Sequence, residues 1–486
     1  MKRTIALLLA LIMTFSFIVG CSKKDETSED EITLRWYARL NKSPDSAEVF
    51  KLASEMAKQK IGVNLDIIPL EDYNSKISVI NASGEDFDIV YTSSAVNNIY
   101  QNVADGNLLE LDELLPKYAP NLWKEVGEDV WDGIRINGKI YGVPNQQIFA
   151  RAPGFLIPTQ NIELLGLDVE EMKTWSLADY EKYLQAIKDK TGSYGYVAST
   201  WGGDGAQLEG FEQVLGAGLP GAIRFDEERP AIVNQYESEE YKEHIRIRTD
   251  WVKKGIAAPM EVTENDITKY VKGEGEVIPW LMFMNTYIPG CEATYKKNYG
   301  FDVTVVRQSE PLLTSYGLVA TMAAVNVDTR YPEKSIEFLE LLNTDKEFYN
   351  LVVYGIEGKH YKKTGENTIE LIDEAKYSQP AWATGNTFNG YLLPGQADDV
   401  HEATKAINAS AKRSPILGFT PDQEPIKLEI ANCKAVLDEY AVVALGILDT
   451  DAVYAEFIEK LKSAGVDKII SNLNEQLEAW RKANNK

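Results

Sequence analysis

Between residues 32 and 91 the chain alternates strand and helix signals, and this alternation restricts its fold more than any other feature. Ile32, Leu34 and Trp36 alternate with polar residues, and Val63, Leu65 and Ile67 repeat the pattern in VNLDI. A period of two marks a strand with one buried face. Between them, SPDSAEVFKLASEMAKQKIG sets Val49, Leu52, Ala53 and Met56 at helical spacing. Ser43 is its cap candidate, Pro44 sits in the first turn and Gly62 is the stop. A second helical stretch leads to FDIVY at 87–91, a third strand. A β-α-β-α-β run predicts an α/β domain: a mostly parallel sheet with helices on both faces. The segments GKIYGVP (138–144), GSYGYVAST (192–200), GEVIPW (275–280) and FDVTVV (301–306) are also strand-like. WSLADYEKYLQAIKDK (175–190) and YPEKSIEFLELLN (331–343) read as amphipathic helices, and 451–482 as two helices joined at Gly465. A chain of 486 residues is expected to form two or more domains.

The N-terminus reads as addressing. Lys2 and Arg3 precede a fifteen-residue apolar run, Ile5 to Val19, shorter than a bilayer span and suited to a secretory signal. Ile18-Val19-Gly20-Cys21 resembles a bacterial lipobox, which implies that Cys21 is diacylated through its thiol and becomes the mature N-terminus. Residues 1–20 are then the signal peptide. Residues 21–31, polar after the cysteine, are a lipid-anchored tether holding the body on the extracytoplasmic face of the cell membrane. No later segment is apolar over the length of a span. Secretion permits a disulfide between Cys291 and Cys433, but nothing in the sequence pairs them.

Charge and motifs narrow the chemistry. There are 50 Lys+Arg against 74 Asp+Glu, a net charge of −24. That argues against nucleic acid, and against an anionic membrane surface as the main partner. A small neutral or cationic ligand, or a protein, stays open. With three histidines, no metal site and no cofactor are expected. There is no H-E-x-x-H, P-loop, EF-hand loop or G-x-S-x-G. GAGLPG at 216–221 matches G-x-G-x-x-G, but Pro220 lies inside it and a loop is the better reading. The pairs Asp398-Asp399 and Glu239-Glu240 follow from an acidic composition and do not by themselves make a glycosidase. Nine Trp and 25 Tyr are the more telling inventory. The C–H face of a pyranose needs an aromatic face, and its hydroxyls need planar polar partners.

In its ordered segments the chain resembles the extracellular solute-binding protein family 1, the carbohydrate-binding subunits of ABC importers. The segments are GEDFDIVYTSS, DGNLLELDELLPKYAPNLW, INGKIYGVPNQ and GEVIPW. YPEKSIEFLELLNTDKEFYNLVVYGIEGKHY and SPILGFTPDQEPIKLEIA resemble a lipoprotein branch with its own C-terminal domain. The resemblance covers nearly all of residues 32–482. It implies a two-lobed, periplasmic-binding-protein-like (type 2) α/β fold with a hinge and an interlobe cleft. The expected first lobe is 32–150 with 276–328; the second is 151–275 with 329–486, mainly helical in its C-terminal part. Implied partners are a carbohydrate and the permease subunits of the transporter, with the chain a monomer and not an enzyme. The alternatives are a same-fold receptor for a peptide or polyamine, or a lipid-anchored glycosidase.

Ligand is expected between the lobes, at the carboxyl ends of strands. Trp36, Tyr37 and Arg39 follow the first strand; Tyr91, Thr92 and Ser93 end the third. Asn145 and Gln146 lie near a crossing, and their amides suit hydroxyls. Trp201, Trp280 and Tyr316 sit at strand-like ends, Glu357 in a glycine-flanked loop and Trp382 in the small-residue loop QPAWATGNTFNG. Of these, Trp201, Trp280 and Trp382 are the expected stacking rings. Trp123, Trp131, Trp175, Trp251 and Trp480 fall in helical contexts and are expected in the core.

Overall fold

The computed structural model describes residues 31–196, 207–216, 218–258, 277–284, 286–441 and 451–484. Its strands, in chain order, are β1 (Thr33–Ala38), β2 (Asn64–Pro69), β3 (Ile89–Thr92), β4 (Val143–Pro144), β5 (Gly154–Pro158), β6 (Phe211–Gln213), β7 (Ala222–Arg224), β8 (Met282–Met284), β9 (Val303–Arg307), β10 (Leu312–Leu313), β11 (Met322–Val325), β12 (Tyr361–Lys363), β13 (Ile369–Leu371) and β14 (Lys412–Arg413).

The first sheet has the order β2-β1-β3-β11-β4. β1 is parallel to β2 and β3, whereas β11 returns antiparallel to β3 and β4. The helix Ser46–Ile61 turns Val49, Phe50, Ala53 and Ala57 inward, three or four residues apart as one helix face requires. It ends at Gly62, whose φ of 75° places it in the left-handed region a C-cap uses. The start differs from expectation: no side chain caps it, and the Ser43 N–H donates to Ser46 Oγ at 2.9 Å.

In the second sheet β5 lies between β8 and β9, antiparallel to both. All five β5 residues are buried. Helices Tyr180–Thr191 and Glu239–Lys253 supply Tyr180, Tyr183, Leu184, Ile187 and Trp251 to the core that covers Phe155 and Phe283. A third core joins helices Lys427–Glu439, Asp451–Ala464 and Val466–Ala483 to Ile223, Ile232 and Tyr236. Gly465, φ 101°, joins the last two helices. Helix Glu239–Lys253 belongs to both cores: Tyr241 and Ile245 pack with the C-terminal helices, Ile247 and Trp251 with the second sheet. The C-terminal segment is thereby built onto the second lobe.

Three chain passes run side by side between the lobes. Arg151 and Leu312 exchange backbone hydrogen bonds at 2.8 and 2.7 Å, and β10 pairs in parallel with β14.

These pairings redraw the expected lobe boundaries. β8 and β9, assigned to the first lobe, pair with β5 in the second. The helices Pro332–Thr344 and Lys346–Tyr354, assigned to the second, place Ile336, Phe338, Leu339, Leu342 and Phe348 in the first core. A strand pattern states that one face is buried, not which strand will lie beside it. Cys291 is half-buried and Cys433 buried, and both are free thiols. The described residues of 216–221 form a loop between β6 and β7, held where Tyr236 Oη donates to Gly218 O at 2.5 Å.

Candidate functional site

β1 and β3 end side by side, so the residues that follow them share one edge of the first sheet. The Arg39 guanidinium carbon lies 5.3 Å from the centroid of the Tyr91 ring and 4.9 Å from that of Trp382. Its Nη1 donates to Tyr91 Oη at 3.3 Å. Tyr91 is buried and stands edge-on to Tyr73, with centroids 5.6 Å apart. Burial pushes the Tyr91 phenol above its usual range, and the Arg39 charge opposes that rise. Tyr73 is fixed in turn, its hydroxyl donating to Tyr37 O at 2.9 Å and accepting from Tyr91 N at 2.9 Å. The result is a layered stack in which Trp382 is outermost, with 43% of its surface exposed. Among the described residues Arg39 makes no ion pair, although the chain carries 74 carboxylates.

The loop presenting Trp382 is zipped to the first crossing. Gln146 N donates to Gly385 O, and Thr387 N to Gln146 O, both at 2.9 Å. Gly385 has φ 46°, and a Cβ there would stand 2.7 Å from Leu342 O, so this position has room only for hydrogen. Gln147 Nε2 donates to Trp382 O at 3.1 Å and to Thr321 Oγ1 at 2.5 Å. Gln147 and Thr321 were not among the expected site residues. The run Asn145-Gln146-Gln147 was the only local sign of the first, and Thr321 carried none.

The structure thus brings Arg39, Tyr91 and Trp382 together and disperses the rest. Trp36 is 3% exposed and packs edge-on against Phe338, so it is a core ring rather than a cleft residue. Trp280 is also 3% exposed, enclosed by Tyr295, Tyr299 and Phe301 in the second lobe. Ser93 is buried and spends its Oγ on the turn, accepting from Val96 N at 2.7 Å. Asn145 and Gln146 are enclosed, and their side-chain nitrogens have no hydrogen-bond partner among the described residues. Gln146 meets the Trp382 loop through its backbone, whereas Asn145 N donates to Thr321 O at 3.0 Å. Tyr316 is half-buried at the hinge under the Arg151 guanidinium, 4.8 Å from its centroid. Glu357 is exposed beside the β12–β13 hairpin and pairs with Lys363 at 3.1 Å. Trp201 and Cys21 lie outside the described residues.

Two grooves, of 740 and 640 Å³, lie between the first lobe and the C-terminal segment and share Asn137 and Thr420 as a common wall. None of the expected ligand residues lines either one. Among the described residues no three His, Cys, Asp or Glu side chains gather as metal ligands would. Nor, among them, is any helix long and apolar enough to cross a membrane.

Residues 415–482 match a family model described as a domain of unknown function (DUF3502). The chain is 27% identical over 475 residues to a carbohydrate ABC transporter substrate-binding protein of Streptococcus pneumoniae serotype 4, covering 96% of this chain and 94% of that one. It is 24% identical over 510 residues to lipoprotein LipO of Bacillus subtilis strain 168, covering 97% of each. Among solved structures it is similar to the N-glycan transport solute binding protein NgtS of S. pneumoniae. The TM-score is 0.78 at 26% identity, over 94% of this chain and 99% of that one. NgtS has also been solved with Man1GlcNAc and with Man5GlcNAc.

Proposed function

We propose that this chain, a solute-binding protein of the ABC-importer family with its own C-terminal domain, captures a carbohydrate between its two lobes and delivers it to a membrane permease. The observation that carries the reading is the Trp382 platform. An exposed indole face at the carboxyl edge of the first sheet, backed by a guanidinium that has no ion pair among the described residues, suits a pyranose. The ring desolvates the sugar's C–H face, while Arg39 N–H groups offer donors to its hydroxyls. A polyamine receptor would need carboxylates here, and its ligand would instead meet a cation. Oligosaccharides containing mannose and N-acetylglucosamine are the first candidates, because the similar NgtS has been solved with two of them.

The mechanism needs binding and closure only. Sugar stacked on the first lobe and touched by the second favours the closed form, and the three passes supply the hinge. The closed outline is what the permease reads, and the sugar leaves unaltered. Cys21 carries the lipid that keeps the monomer on the extracytoplasmic face of the cell membrane, a role the similarity to a lipoprotein supports. The test is a thermal-shift screen of purified protein against mono- and oligosaccharides. A sugar at a hundredfold its Kd stabilises the native state by about 2.7 kcal/mol. Mass spectrometry after long incubation should recover it whole. A panel that leaves the melting temperature unmoved, or that is cleaved, rejects the proposal.

A further inference from the structure

We propose that Gln147 is a positioning residue, tying the Trp382 platform to the hinge so that sugar held by the ring is felt by the chain passes that must turn when the lobes close. This inference rests on the carbohydrate reading above and extends it to a residue outside the stack.

An amide nitrogen has two N–H groups, and Gln147 spends both. One goes to the carbonyl oxygen of Trp382 at 3.1 Å, the other to Thr321 Oγ1 at 2.5 Å. Gln147 lies on the first pass and Thr321 immediately precedes β11, so one side chain joins the ring's backbone to the first pass and to the first sheet. The backbone of Gln147 is itself held: its carbonyl accepts from Asn408 Nδ2 at 2.7 Å. Asn408 Oδ1 in turn accepts from Phe149 N at 2.8 Å and Ala150 N at 3.1 Å. Asn408 belongs to helix Val400–Ser410, which leads into β14 on the third pass. Two amides, Gln147 and Asn408, therefore connect the ring loop with the first and third passes, and β14 on the third pairs with β10 on the second. The Gln147 side chain acts on the ring's carbonyl, not on its face. Its effect on sugar must pass through Trp382, and that makes the proposal separable from a general loss of folding.

The test is a double-mutant cycle on the best sugar from the screen, read by calorimetry with melting temperature alongside. Gln147→Glu keeps the shape but sets an oxygen against the Trp382 carbonyl, while Thr321 can still turn its hydroxyl toward it. Gln147→Met removes both donors without charge, and Thr321→Val removes only the far anchor. With Trp382 present, each Gln147 variant should weaken binding about tenfold, within the range of couplings between contacting residues. With Trp382→Ala the same changes should cost less than about twofold, because residues that act through one another do not add and the ring through which Gln147 acts is gone. Small-angle scattering should show sugar-induced compaction reduced in the Gln147 variants at saturating sugar. Should Gln147→Glu fail to fold, Gln147→Met and Thr321→Val carry the same cycle. Losses that multiply with Trp382→Ala, or Gln147 variants that bind and close like the parent, overturn the inference. A Trp382→Ala protein that binds normally would instead overturn the platform itself.

Discussion

Replacing Trp382 by Ala should separate binding from stability, and Trp280→Ala should do the reverse. Trp382 keeps 43% of its surface in solvent, and its ring lies against the Arg39 guanidinium. A partly exposed cation–π contact contributes about 1 kcal/mol. With the burial of the ring's inner side added, Trp382→Ala should destabilise the protein by roughly 1–2 kcal/mol. If the ring is the central stacking surface, its loss should cost about 2 kcal/mol of binding, roughly thirtyfold in affinity. Trp280 is 3% exposed among Tyr295, Tyr299 and Phe301, and its carbonyl accepts from Tyr183 Oη at 2.8 Å. Truncating a buried Trp leaves a cavity and costs about 3–5 kcal/mol. At roughly 2–4 °C per kcal/mol for a lobe of this size, the melting temperature should fall by about 10 °C, roughly two to three times the change in Trp382→Ala. Calorimetric titration and differential scanning on both variants decide the matter. The reasoning fails if Trp382→Ala binds sugar like the parent. It fails equally if Trp280→Ala loses sugar while melting normally.

Glu212 is 7% exposed, one of its oxygens has no partner among the described residues, and desolvation lifts its carboxyl from 4.5 to about 7 against the pull of Ser414 and Arg151. The folded state thus holds this proton more tightly than the unfolded chain. Its contribution is full below pH 4.5 and is lost as pH rises toward 7. Glu212→Gln should remove a decline of up to about 3 kcal/mol over that window, seen as a flatter curve of denaturation midpoint against pH. An unchanged slope would assign the proton elsewhere. Gly385→Ala should push the loop off Leu342 O and weaken sugar binding more than it lowers the melting temperature; the opposite ranking would mean the loop does not shape the platform. Cys21→Ser should leave unprocessed precursor and abolish acyl labelling, and persistence of the label would refute the lipid anchor. Cys291 and Cys433 should each take up one alkylating group in denaturant without prior reduction, and protection of both would indicate a disulfide.

Local chemistry made part of this protein legible from its sequence. The alternation of Leu34 and Trp36, and of Val63, Leu65 and Ile67, predicts strands because successive side chains point to opposite faces. Gly62 and Gly465 predict helix boundaries because a residue without Cβ enters the left-handed region cheaply. Arg39, Tyr91 and Trp382 could be named because strand ends and small-residue loops are where a side chain can reach solvent. Which of the candidate tryptophans does so was decided by tertiary contacts. Trp36 and Trp280 stand in similar strand-like contexts, yet Phe338 covers one and Tyr299 and Phe301 enclose the other. The partners of β8 and β9 were likewise beyond reach, because an apolar strand fits any sheet with a vacant edge until the whole chain is placed. Gln147 is the clearest instance: it acts on Thr321, 174 residues away, and on Trp382, 235 residues away. Periodicity is a property of neighbours along the backbone, whereas the burial of a ring and the partner of an amide belong to segments that only folding brings together.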